Sequence, residues 1–290
     1  MGLIVSNIFL AWQNRADEAT LSGGSWQSTL PITNMQNRQV QKVARTADAL
    51  AASTQFDIDL GAPRTIAVLA LVVHNISAAG TCRVRGSNVS NFASTVYDSG
   101  AVNVWPDGQI PQNLLEWEED NFWLGTMSAQ ARAGYQSPYI NIMAAPVYAR
   151  YWRVEIVDTT NSDGYVQIGR LFLANGWTPT VNYNYGAELG YEDPTPVDTS
   201  LSGAEFFDQR SKFRVFSFDL QYVTGTEAYG YALELQRLAG VTGEVLAVPD
   251  AADTGNIPAR AFVGRLRQIG RVRQTQPTAY EVSLELKELL

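Results

Sequence analysis

Apolar and polar positions alternate in short runs along most of this chain, with the two-residue period of β-strands. QFDIDLG, TCRVRGS, YINIMA, YWRVEIVD and YVQIGRLFLA set aromatic, β-branched or small apolar residues against polar ones. TIAVLALVVHN differs. It is apolar throughout from Ile66 to Val73, bounded by Pro63 and by His74–Asn75, as expected of a central strand covered on both faces. Gly, Pro, Asn, Asp and Ser separate the runs and supply turns. Almost nothing before residue 225 reads as a long amphipathic helix. Many short strands with turns between them imply an antiparallel sandwich or barrel.

From Trp177 to Ser200 the alternation lapses. WTPTVNYNYGAELGYEDPTPVDTS holds three prolines and two glycines and reads as a connector whose tyrosines lie against a surface. KFRVFSFDLQYV then alternates as a strand. Thr226 is expected to open a helix over TEAYGYALELQRLAG, with Leu233, Leu235 and Leu238 on its apolar face and Gly240 as its C-cap. GEVLAVPD, ARAFVGRLRQI and AYEVSLELKEL predict further strands. The chain is therefore expected to be mainly β, divided into residues 1–176, a connector 177–200, and an α+β unit 201–290 with one main helix.

Composition narrows the function. The chain has 290 residues, 46% of them hydrophobic, enough for two domains with ordinary cores. Charged residues make up 17%, below the usual quarter or so, which fits either a polar uncharged surface or faces covered by neighbours. A net charge of −8 argues against non-specific nucleic-acid binding, which needs a basic field. Cys82 is the only cysteine, so no internal disulfide forms, and a small buried hydrophobe is its expected role. The start, MGLIVSNIFLAWQN, lacks a basic n-region and a small-residue cleavage site, and no run approaches the roughly 20 apolar residues of a membrane span. Synthesis in a cytoplasm without membrane insertion is the expectation.

Catalytic chemistry has no positive support. His74 is the single histidine and reads as structural; no G-x-S-x-G elbow, P-loop, HExxH or Rossmann glycine fingerprint occurs. We expect no enzyme and no cofactor. Glu116, Glu118, Glu119 and Asp120 crowd together, but their spacing matches no calcium loop, and the run reads as a solvated acidic loop without a metal site.

ARYWRVEI (Ala149 to Ile156), followed by a turn and by Ile168, Leu171 and Leu173, resembles the closing strands of discoidin-like domains, also called F5/8 type C or galactose-binding-like jelly rolls. Asp59-Leu60-Gly61 ahead of Ile66 to Val73 matches an early strand of that family. The resemblance covers roughly residues 1 to 176 and implies a β-sandwich jelly roll, in which binding, where present, uses loops at one end. The loop from Val102 to Tyr135 is the richest in suitable groups, with Trp105, Trp117, Phe122, Trp123 and Tyr135. Sugar C–H faces pack on such rings, and core or interface packing is their other use. Trp105, Trp117, Trp123 and Tyr135 are the candidate glycan-binding residues.

From Ser200 onward, the aromatic-rich strand Phe213 to Val223, one helix and the final YEVSLELKEL resemble the minor and distal tail proteins of long, non-contractile-tailed bacteriophages. That resemblance implies a split-barrel tail-ring domain, usually six copies around a ring at the virion tail tip. Its partners would be the tail tube, other tail-tip proteins and a host surface glycan, with DNA only as passing cargo. Arg260, Arg265 and Arg267 are then candidate ring-interface residues facing Glu205 and Asp208 of a neighbouring copy. The alternative is a stand-alone carbohydrate-binding protein without a ring role.

Overall fold

The computed structural model describes residues 6–106, 115–117, 122–123, 125 and 138–290. The chain divides into two units, residues 1–178 with 248–261, and residues 179–247 with 262–290. Strands of the first are β1 (Phe9–Trp12), β2 (Thr20–Ser22), β3 (Ala44–Arg45), β4 (Phe56–His74), β5 (Thr81–Ser87), β6 (Thr95–Asp98), β7 (Val102–Asn103), β8 (Tyr139–Val157), β9 (Gln167–Ala174) and β10 (Gly176–Trp177). The remainder are β11 (Glu188–Glu192), β12 (Val197–Thr199), β13 (Glu205–Phe207), β14 (Phe213–Val223), β15 (Val245–Val248), β16 (Phe262–Leu266), β17 (Arg273–Gln274) and β18 (Tyr280–Glu288). The chain is mainly β, as the alternation predicts.

In the first unit, β4 and β8 pair antiparallel in two stretches, and each stretch has different neighbours. Phe56–Asp59 lies between β2 and Tyr151–Val154, and the same end of β8 pairs on its far side with β5, which carries β6 and β7. Arg64–Leu71 pairs with Ala149–Tyr139, while Val68–His74 pairs with β9, which carries β3. One bent pair of strands thus serves two layers of a sandwich. The register shift between Asp59 and Arg64 marks the bend.

Between the layers lies one apolar core. Phe56, Ile58, Cys82, Val84, Trp152, Val154 and Ile156 enter it from one side, and Ile66, Leu69, Leu71, Ile168, Leu171 and Leu173 from the other. Alternation decides who enters. Asp57, Asp59, Arg83, Arg85, Arg153 and Glu155 take the outer positions and form a ladder of cross-strand ion pairs, including Arg153–Asp57 at 2.5 Å and Arg83–Asp98 at 2.5 Å. Each such partly exposed pair contributes about 0.2–1 kcal/mol. The uninterrupted apolar run of β4 is buried on both faces, with Val68, Ala70 and Val72 beside Ala174, Phe172 and Arg170 on the side away from the core. The fully buried Arg170 is neutralised by Asp17 at 2.7 Å, from the 3-10 turn Arg15–Glu18. Burial of Cys82 pushes its thiol pKa up to about 12.

The second unit carries the sheet order β15-β16-β18-β14-β11, with β17 also on β18. Among the described residues this order is open. The stretch 177–200, expected as a connector, instead supplies β11, whose residues 188–192 pair with 217–213 of β14, and β12. Proline and glycine frequency obscured a strand of only five residues. Residues 248–261, expected in the second unit, belong to the first, where Ala251 N–H donates to Asn7 and Ser6 Oγ donates to Asp250 at 2.9 Å. The helix starts at Gly225, one residue before the expected Thr226, because Thr224 caps it. The Thr224 hydroxyl accepts from Glu227 N–H while the Glu227 carboxylate accepts from Thr224 N–H. Gly240, with φ 51, ends it as expected. Arg214 and Glu288, both buried, form an ion pair across β14 and β18.

Trp152 is fully buried, with its ring against Gly86 of β5, where an added Cβ would lie 3.0 Å from the indole. Trp152→Ala should therefore cost about 3–5 kcal/mol, measured as a lowered urea midpoint with an unchanged slope.

Candidate functional site

One end of the sandwich is built from the turns after β4 and β8 and the starts of β5 and β9. Its centre is Asp158, buried after β8. Its carboxylate accepts from Ser77 N–H at 2.8 Å, Ser77 Oγ at 2.5 Å and Asn161 Nδ2 at 2.8 Å. Asn75 donates through Nδ2 to Asp163 at 2.8 Å and accepts through Oδ1 from Gln167 N–H at 2.7 Å. Trp105 closes the cluster, donating its Nε1–H to the Ile76 carbonyl at 2.8 Å with its ring edge-on to His74. Half-buried His74 accepts Ile76 N–H at Nδ1, and the loss of water around its ring holds its pKa down to about 4.

Trp105, expected to face a sugar, is therefore a correction: only 5% exposed and within the core, it anchors the base of the loop. The run TCRVRGS was legible as a strand, but nothing in the sequence showed that the Ile76 carbonyl would claim the Trp105 indole. Trp117 and Trp123 behave differently. They are 70% and 71% exposed and form one cluster with Phe122, at centroid separations of 5.1, 5.4 and 5.5 Å. Tyr135 lies outside the described residues, as do Glu118, Glu119 and Asp120. Among the described residues no group of acidic, histidine or cysteine side chains is arranged to hold a metal.

The five expected ring-interface residues are dispersed. Arg260 belongs to the first unit and pairs with Asp253 at 2.9 Å; Arg267, in the second, pairs with Glu192 at 2.5 Å and Glu285 at 2.9 Å. Arg265 reaches the carbonyls of Val241 and Leu266. Glu205 lies exposed on β13, and Asp208 just beyond it pairs with Arg210 at 3.1 Å. What sequence reading missed is the apolar character of the hairpin that carries them. In β12–β13 and its turn, Val197, Leu201, Phe206 and Phe207 are all at least half exposed. The adjacent phenylalanines in AEFFDQ were the available signal, since neighbours on a strand face opposite ways and both cannot enter one core.

Fold and site together define a mainly β chain whose sandwich unit exposes Trp117 and Trp123 packed beside Phe122. Neither a protein-family model nor a curated protein matches the sequence. Among solved structures, the chain is similar to CBM32-1 from a family 31 glycoside hydrolase of Clostridium perfringens (TM-score 0.38, 11% identity, covering 57% of this chain and 99% of that one). It is also similar to the family 32 CBM of C. perfringens NanJ, solved with galactose (0.36, 16%, 57% and 98%). A Streptococcus pneumoniae fucose binding module gives 0.35, 12%, 57% and 96%. Likenesses of this extent assign neither a ligand nor a role to this chain.

His74 titrates near 6.5 when unfolded and at about 4 when folded, so the unfolded chain binds the extra proton between those values. Stability should be fully present above pH 6.5 and fall as pH drops towards 4, by at most about 3 kcal/mol. His74→Gln should flatten that slope in urea melts at successive pH values; an unchanged slope would remove His74 as the cause.

Proposed function

We propose that this chain recognises carbohydrate through its first unit. The observation that carries the reading is the exposed cluster of Trp117, Phe122 and Trp123. Leaving two indoles about 70% exposed forgoes their burial energy, and such patches mark binding surfaces. Sugar rings present C–H faces that pack on aromatic rings, with rim amides and carboxylates taking the hydroxyls. A base stiffened by Asp158 and Trp105 limits the ordering that binding would otherwise cost.

A second reading concerns assembly and has its own observation. A two-stranded sheet is marginal alone, and β12–β13 exposes four large apolar side chains as well as its strand edges. Closing copies of the chain into a ring would cover both. We read the second unit as a split-barrel-type ring domain, six copies of which would join a phage tail tube to its tip. The first unit would project towards a host glycan, and DNA would only pass through the lumen. A stand-alone carbohydrate-binding protein is what remains if the second unit does not assemble.

Glycan-array binding followed by titration tests the first reading. Trp117→Ala and Trp123→Ala should each weaken binding about tenfold without lowering the melting temperature. Silence across the array, or wild-type affinity in both variants, would sink it. For assembly, sedimentation velocity should show an oligomer that Phe206→Glu with Phe207→Glu returns to a monomer. A wild-type monomer at high concentration leaves only the stand-alone module.

A further inference from the structure

At the bend of the first unit, Trp12, Gln13, Arg15, Arg64, Tyr148 and Asn175 surround a pocket of about 420 Å³. None of Trp105, Trp117, Phe122 and Trp123 lines it. The second half of β4 runs ten residues from Arg64, at the pocket, to His74, at the base from which that loop springs, a span of about 33 Å.

The pocket is assembled by backbone that the fold already fixes. β1 ends at Trp12, and Gln13 turns the chain with a left-handed φ of 59, an uncommon geometry for a residue with a side chain. Its carboxamide oxygen accepts from Arg15 Nη2 at 3.1 Å, steadying that guanidinium. Arg64 opens the second half of β4 opposite Ala149, and Thr65 sits opposite Tyr148. Asn175 is held between the end of β9 and Gly176, which pairs with Ala11 of β1.

Charge singles this pocket out. The chain carries −8 overall, yet the charged residues lining the pocket are two arginines and no acid. Of the acids close in sequence, Asp59 is engaged by Arg150 at 2.7 and 2.9 Å and Asp17 by Arg170, and Glu18 does not line the pocket. Arg64, by contrast, has no ion-pair partner among the described residues and is exposed. A guanidinium fork matches a planar carboxylate. Beside it, Tyr148 is 62% exposed and Trp12 partly so, giving flat apolar walls, while the Gln13 and Asn175 amides can exchange hydrogen bonds with hydroxyls. The volume falls in the range of small-ligand sites, about 300–1,000 Å³.

We propose that this pocket is a second, separate binding site, for a carboxylate-bearing sugar unit such as a hexuronic or nonulosonic acid. The carboxylate sits on Arg64 and Arg15, and the ring lies against Trp12 and Tyr148. The site does not depend on the aromatic loop.

The test is titration of the full chain with glucuronate, N-acetylneuraminate, glucose and acetate, followed by calorimetry. At least one acidic sugar should bind about tenfold or more tighter than both glucose and acetate, and more weakly as salt rises. Arg64→Gln and Tyr148→Ala, both at exposed positions, should each cost about tenfold in affinity while melting as the wild type does. Trp117→Ala with Trp123→Ala should change nothing. Equal affinity for glucose would overturn the role of the carboxylate, and equal affinity for acetate the role of the sugar ring. Binding lost in the loop variants but kept in Arg64→Gln would move the ligand to the aromatic loop, and no binding by any acidic sugar would overturn the site.

Discussion

Everything in the first unit depends on one constraint: two strands, β4 and β8, must stay paired while passing from one layer to the other. A flat ribbon could not do so and also enclose a core. The bend is made where the ladder is interrupted between Asp59 and Arg64, and three features hold it. Gly61 takes a φ of 73, which side chains resist, and its N–H is accepted by Asp59. Asp59 in turn grips Arg150 of β8 with both carboxylate oxygens, and that guanidinium holds the Asp59 pKa down. Arg150 also lies over the Tyr151 ring. The same bidentate pair therefore ties the two strands together at the point where both change layers.

That bend gives the unit two chemically different ends. At the far end, where β4 and β8 separate, the chain must satisfy polar backbone left over by its turns, and it does so with Asp158, Asn161, Asn75 and Ser77. These groups are consumed in making a base, and so is Trp105. Trp117 and Trp123, by contrast, keep their rings exposed. At the bend, strands end or turn with positively charged residues facing outward, and among the described residues Arg64 has no acidic partner. One scaffold thus has a hydrogen-bonded polar cluster at one end and a cationic pocket at the other.

Period-two alternation made the strands and most of the core legible. QFDIDLG showed which residues of β4 turn inward, and the unbroken run to Val73 showed a strand buried on both sides. The alternation could not show that β4 and β8 each serve two layers, because the bend leaves only Gly61 as a trace. It also could not separate Trp105 from Trp117 and Trp123. All three are tryptophans in one loop, and their roles diverge through a hydrogen bond to a carbonyl 29 residues away. In the second unit, the strands β14, β16 and β18 and the Gly240 cap were readable. The five-residue β11 was not, because Pro and Gly around it carried the stronger local signal.

The arginines and the hairpin of the second unit also differ in what they offer a neighbouring copy. Arg267 already pairs with Glu192 and Glu285. Exchanging those partners for Glu205 or Asp208 of another chain would trade one exposed pair for another, worth between nothing and about 1 kcal/mol. Full cover would contribute about 1.5–3 kcal/mol at the fully exposed Leu201 and roughly half to two-thirds of that at each of the partly covered Val197, Phe206 and Phe207. Arginine clustering is conspicuous in the sequence because charge is, whereas in the structure the exposed apolar side chains gather on the hairpin. In such an interface the apolar residues would supply affinity, and the charged residues around them would set register and exclude wrong partners.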